Sequence, residues 1–376
     1  MKANRIAVAT FFFVNGFFYA SWASRLPELE GLRGISNAQL GSVLFVMALG
    51  AVAAMPYGSA TIIKLMGIGI CASIGLLAVP HNLFLVGVLF FLIGVSNGAM
   101  DVTMNEQAVL VERKWDKPIM SSFHGFWSIG MALGAGAGAL FSKGAILLHH
   151  HLIIITALGL IIFLIASSFL IKDKIKSDRH SKTFVLPDKV IIPLGFIAFC
   201  GMLFEGAIAD WSAIYMNSVI GETEVFSAVA FGSFGVSMTI GRLMGDYFTQ
   251  RLGKKKLMIW NAAISISGFM LVLVFNSSWM TIIGFFLVGL GLATVVPIVY
   301  SMAGNVSGIS PSMGIAMVTT IGYSGFFVGP PAIGYLADIY GLRVGLSFSF
   351  YLLIIMLILI LRQNFRRFVK NSEPSQ

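Results

Sequence analysis

Apolar residues along this chain come in long blocks, separated by short polar stretches instead of alternating with them. A block of about 20 residues is what an α-helix needs to cross the hydrocarbon of a bilayer. The pattern predicts spans near 6–24, 37–57, 61–79, 83–105, 118–141, 151–171, 190–214, 224–245, 257–275, 278–301, 313–336 and 344–361. The longest polar interruption, KDKIKSDRHSKTFVLPDK at 172–189, separates six of them from the other six. The expected organisation is a helical bundle over 1–171, a cytoplasmic linker over 172–189, a second bundle over 190–362 and a cytoplasmic tail over 363–376.

The two halves resemble each other. YASWAS at 19–24 and IADWSA at 208–213 place Trp22 and Trp211 189 residues apart. WSIGMALGAGAGAL in the fifth span and TTIGYSGFFVGPPAIG in the eleventh place Gly130 and Gly322 192 apart. FLIGVSNGA in the fourth span has its counterpart, FLVGLGLAT, in the tenth. A nearly constant offset is the mark of a duplicated unit, and in transporters so built the solute site lies near the midplane.

Composition agrees with burial in lipid. Of 376 residues, 57% are hydrophobic and 11% charged, against about 25% charged in soluble domains. The N-terminal KANRIAVATFFFVNGFFYASWAS has the outline of a secretory leader, but more spans follow, so a retained first helix is expected. Cys71 and Cys200 fall within apolar blocks and outline neither a disulfide framework nor a metal site. The net charge of +9 has a topological explanation. With both termini cytoplasmic, only Arg25, Arg33, Lys143 and Arg343 of the 25 basic residues fall outside. That is the positive-inside bias of a membrane protein, and it requires no nucleic-acid partner.

One stretch breaks the oil. NGAMDVTMNE at 97–106 spaces Asn97, Asp101 and Asn105 four residues apart, stacking them on one helix face. A carboxylate at mid-membrane costs about 2.5–3.5 kcal/mol on insertion scales, so it faces a cavity or a partner. The matching positions of the tenth span are Leu292, Val296 and Tyr300. A stripe kept in one half alone points to a ligand or an ion; the structural alternative is a bond from Asp101 to Asn15 or His124. Asn15, midway along the first span, is a further cavity candidate, since an amide facing lipid has no partner. His124 suits either a proton path or a bond to the fourth helix. Glu205 in the seventh span is placed to take up and release a proton, or to make a buried structural hydrogen bond; Asp210 lies nearer the outer interface. Trp22 and Trp211 suit stacking on a sugar face or an interfacial belt. His149, His150 and His151 read as a solvated, weakly metal-binding patch. Gly130, Gly134 and Gly138 form a small-residue face for close helix packing, and Gly329, Pro330 and Pro331 are expected to bend the eleventh span.

GRLMGDYFTQRLGKKK at 241–256 resembles the Gly-Asp-Arg-Gly-basic loop of the major facilitator superfamily. The first-half counterpart, PYGSATIIKLMGIG at 56–69, has Ser59 where Asp246 would stand and keeps only Lys64. WASRLPELEG, GAMDVTMNEQAVLVER, MSSFHGFWSIG and EGAIADWSAIYM look like a bacterial inner-membrane branch of that superfamily, grouped near the fucose and rhizopine permeases. The resemblance implies an all-α membrane protein of 12 transmembrane helices in two pseudo-symmetric six-helix bundles. It also implies a secondary transporter working by alternating access, and a cytoplasmic charge latch of Arg242, Asp246 and Arg251. Arg242 lies one turn before Asp246, within reach across the helix face.

No GxxxxGK[ST] phosphate loop occurs, so energy comes from an ion or solute gradient and not from nucleotide bound here. GIGICASIG at 67–75 has the glycine rhythm of a dinucleotide loop but lies inside a span. A membrane-embedded enzyme needs a cluster such as H-E-x-x-H, which is missing. A sensor would need a soluble domain to signal with. The expectation is a proton-coupled carrier, without cofactor or metal and monomeric, for a sugar-like or amino-sugar-like solute. Asn15, Trp22, Asn97, Asp101, Asn105, His124, Trp211 and Tyr300 would line its site, and Asp101 and Glu205 would carry the proton. Drug or metabolite efflux is the alternative.

Overall fold

The structure is a computed structural model that describes residues 1–23, 25, 37–54, 62–77, 82–144, 146–171 and 190–363. Every element among these residues is a helix. In the first half they are α1 (Lys2–Ala23), α2 (Asn37–Ala54), α3 (Ile62–Leu76), α4 (Leu83–Trp115), α5 (Met120–Lys143) and α6 (Leu148–Ser167). In the second they are α7 (Ile191–Ser218), α8 (Glu224–Leu252), α9 (Lys254–Val274), α10 (Ser278–Leu292), α11 (Val295–Ala303), α12 (Pro311–Tyr340) and α13 (Leu342–Arg362). Each predicted span coincides with a helix, except that the tenth is made of two. The expected linker at 172–189, the tail beyond 363 and Ser59 lie outside the described residues.

Two departures have local causes. The tenth span breaks after Leu292 because Pro297 has no N–H for the carbonyl of Ala293, and its ring crowds that carbonyl. The fourth helix does not stop near 105 but runs 33 residues to Trp115. At 1.5 Å per residue that is about 50 Å, well beyond the roughly 30 Å of hydrocarbon. Its last turns are rich in helix formers. Arg113 and Lys114 complement the dipole there, and Asp116, at φ 56°, closes the end in the left-handed conformation.

The chain divides into two compact units, Met1–Asp116 with Phe123–Val185, and Lys117–Ser122 with Leu186–Gln376. In the first, α2 packs on α4, α3 on α4 and α6, and α1 on α4 and α6. In the second, α8 packs on α10, α9 on α10 and α13, and α7 on α11 and α13. The same pairs recur six spans later, which is the duplication seen as packing.

Large apolar side chains lie on the outside as well as in the core. Ile153, Leu158, Ile161 and Ile165 of α6 are each more than half exposed, which water would not tolerate and acyl chains would. Eight helical segments among the described residues are long and apolar enough to cross a membrane. Inside the first unit, α1 and α5 approach to backbone contact. A Cβ on Gly16 would lie 2.2 Å from the Trp127 carbonyl oxygen, and one on Gly134 2.2 Å from that of Phe17. The glycine face expected for packing does serve packing, and it brings Asn15 up to Trp127.

Candidate functional site

The polar face of α4 is turned inward. Asn97 follows Val88 by nine residues, so at about 100° per residue the two point in opposite directions. Val88 is on the exposed apolar side, whereas Asn105 is fully buried, Asp101 is 8% exposed and Asn97 half-buried.

α1 and α5 complete the face. The Trp127 indole Nε1 donates to Asn15 Oδ1 at 2.9 Å. Asn15 Nδ2 donates to Asn97 Oδ1 at 2.7 Å and lies 3.9 Å from the Met100 sulfur. One turn down, Asn105 Nδ2 donates to the Asp101 backbone carbonyl at 2.8 Å and to its Oδ1 at 3.2 Å. His124 Nε2 is 3.1 Å from Asn105 Oδ1, and its ring meets Phe12 edge-on at 5.1 Å. Thus Asn15, Asn97, Asp101, Asn105 and His124 all come together, within the first unit.

Donor chemistry fixes the order of these bonds. Asn105 gives its amide hydrogens to two acceptors, so its Oδ1 must receive one from His124, whose Nε2 therefore carries hydrogen. The amide of Asn105 stands between the imidazole and the carboxylate. A carboxamide holds its hydrogens and does not pass a proton along, so this contact positions His124 relative to Asp101 without forming a proton wire between them.

The second unit has different chemistry at the expected positions. Leu292, Val296 and Tyr300 are buried, at 3%, 7% and 1% exposure. Arg242 Nη2 lies 3.1 Å from Glu205 Oε1, an ion pair between α8 and α7. Asp246 accepts from the backbone N–H groups of Ser121 and Ser122 at 2.8 and 3.0 Å. These are the free donors of the first turn of α5, where a carboxylate is favoured by the helix dipole, and residues 117–122 group with the second unit. Arg242 thus reaches Glu205 on the neighbouring helix, and Asp246 reaches the start of α5. Arg251 sits over the Tyr247 ring at 5.2 Å. Lys254 reaches Ser301 at 2.8 Å, and Lys255 caps the end of α13 at the carbonyls of Leu361 and Gln363.

Trp22 is 4% exposed and edge-on to Phe90 at 5.4 Å. Trp211 is half-buried against Gly334, with its indole N–H shielded and without a hydrogen-bond partner among the described residues. The three histidines are not one wet patch. His149 and His150 are exposed, their tilted rings 4.0 Å apart, but His151 is fully buried, bonded to Ser21 at 2.9 Å and stacked on Phe141. Asp210 is exposed. Among the described residues no three histidines, cysteines or acids gather as a metal site.

Sequence reading missed Trp127. It lies inside the quoted MSSFHGFWSIG string, three residues after His124, so helical spacing already put both on one face.

The chain matches the Major Facilitator Superfamily family model over residues 6–261 and 194–375. An uncharacterized MFS-type transporter of Yersinia pestis is 32% identical over 351 residues, covering 91% of each chain. The membrane protein MosC of Rhizobium meliloti is 31% identical over 361 residues, covering 92% of this chain and 87% of its own. Among solved structures, the MFS transporter FucP in its outward conformation aligns with a TM-score of 0.81 at 16% identity, over 96% of this chain and 98% of FucP. The human organic anion transporter MFSD10 aligns with a TM-score of 0.73 at 15% identity, over 96% and 99%. With its helices, its repeated packing and these relatives, the chain belongs to the Major Facilitator Superfamily and is a multi-pass membrane transporter, not an enzyme.

Proposed function

We propose that this transporter is a proton-coupled symporter for a small polar, hydroxyl-rich solute of the sugar or amino-sugar class, moving it by alternating access. The observation that carries the reading is the polar face built from α1, α4 and α5, where Asn15, Asn97, Asp101, Asn105 and His124 converge in the first unit. Neutral amides and an imidazole match hydroxyl groups, and the lone acid among them supplies a proton site. FucP is described as a fucose:proton symporter, which agrees with this chemistry. Glu205 is the second coupling candidate: taking up a proton would cancel its charge and release Arg242. Trp211 and Tyr300 are candidate contacts in the second unit. Asp246 and Arg251, with Arg242, remain our proposed conformational latch. The carrier is taken to be a monomer in the bacterial inner membrane with both termini cytoplasmic, its bundles over 1–171 and 190–362 joined by a cytoplasmic linker.

Transport of a panel of labelled hexoses into proteoliposomes, with and without an imposed pH gradient, tests the reading. A proton crossing 100 mV releases about 2.3 kcal/mol, enough for tens-fold accumulation. The second reading is efflux of an anionic metabolite, for which the nearly buried Arg242 guanidinium beside Glu205 is a candidate contact. Export of organic anions with indifference to every hexose would select that reading.

A further inference from the structure

We infer that Trp127, acting through Asn15, locks Asn97 as a hydrogen-bond donor, so that the solute is held there through an acceptor oxygen. The inference rests on the reading that this polar face binds solute. An asparagine amide normally presents either its oxygen or its NH₂ to a partner, and the two ends have nearly the same shape. The indole removes that freedom, because Nε1–H donates and never accepts. Its contact at 2.9 Å makes the Asn15 atom facing it the oxygen. The other end of Asn15 is then NH₂, and the Asn97 atom at 2.7 Å must be an oxygen.

What Asn97 has left is its own NH₂. That group has no protein partner among the described residues, and Asn97 is half-buried, not sealed. Asn15 is 4% exposed, and its NH₂ is further occupied by the Met100 sulfur, so turning it over would leave two N–H groups facing each other. The backbone contact of Gly16 with Trp127 holds the indole in register. Direction is thus set at Trp127, passed through one amide and read out at the next. Trp127 is a positioning residue; Asn97 touches the solute.

Two measurements test this. In protein labelled with ¹⁵N-asparagine and ¹⁵N-tryptophan, hydrogen exchange is read without ligand. The expected result is slow exchange for the Trp127 indole and the Asn15 amide and fast exchange for the Asn97 amide. The reverse order for the two asparagines overturns the proposal. Binding of D-glucose, D-galactose and L-fucose is then compared with their deoxy and deoxyfluoro analogues. Fluorine keeps weak acceptor character and cannot donate. At the ring position that meets Asn97, the deoxy analogue is expected to lose about tenfold, the worth of one hydrogen bond, and the fluoro analogue clearly less. Trp127→Phe should shrink that fluoro-to-deoxy ratio, and Asn97→Asp, which presents an acceptor, should abolish it. A Trp127→Phe protein that weakens every analogue equally, leaving the ratio intact, overturns the positioning role. If no hexose binds while the exchange order holds, the sugar reading falls and the donor direction of Asn97 stands.

Discussion

Arg242 of α8 holds Glu205 of α7 at 3.1 Å, and the two side chains keep only 7% and 24% of their surface exposed. Removing one member of a buried pair strands the other charge, at a cost of roughly 3–5 kcal/mol. Because Glu205 retains some contact with solvent, the lower end of that range is expected for Arg242→Met. Adding Glu205→Gln should recover most of the loss, since the stranded charge is gone. Thermal unfolding of the two single variants and the double variant in detergent closes the cycle. Additive losses would mean that the pair is not a unit.

Asp246 caps the start of α5 with both carboxylate oxygens. Asp246→Ala should cost about 1–2 kcal/mol, as loss of an N-cap does. Faster hydrogen exchange at the Ser121 and Ser122 amides, with the rest of α5 unchanged, is the check. Asp246→Asn, which still offers one acceptor oxygen, should fall between Ala and wild type.

The crossing of α1 and α5 leaves no room at Gly16 or Gly134. Gly134→Leu must push the helices apart, at about 1–3 kcal/mol for overpacking, or more where backbone has to move. The Trp127 to Asn15 bond would lengthen with it, visible as faster exchange of the indole N–H. Unchanged stability would show that the two helices do not meet there.

His151 and Ser21 form a buried hydrogen bond with the imidazole fully shielded. Ser21→Ala leaves a ring nitrogen without that partner and should cost about 1–3 kcal/mol. Replacing both His149 and His150 by Ala should change stability by less than about 0.5 kcal/mol, as exposed positions do. Comparable losses from the two changes would put the three histidines back in one class.

The spans were legible because a 20-residue apolar block has one stable solution in lipid, and the stripe because 97, 101 and 105 share a face whatever the helix packs against. Family strings carried the rest of the fold. Apart from the bond of His124 to the fourth helix, partners across helices were not legible. Sequence spacing offered Asp246 to Arg242, and gave no sign of the free N–H groups at the start of α5, far along the chain, that the carboxylate meets. Trp22 and His151 sit at helix ends where an interfacial and a buried side chain look alike in sequence. Only the packing against Phe90 and Ser21 separates them. The break at Leu292 was written in Pro297, but a proline three residues into a new helix and one inside a long kinked helix have the same local sequence.

The most direct test compares Asp101→Asn with wild type in proteoliposomes, measuring both counterflow and pH-driven accumulation of a labelled hexose that the wild type carries. Wild type is expected to show both. Asp101→Asn, which keeps the shape of the polar face but cannot exchange a proton, is expected to retain counterflow and lose accumulation. Accumulation that follows the pH gradient equally well in the variant would contradict a coupling role for Asp101.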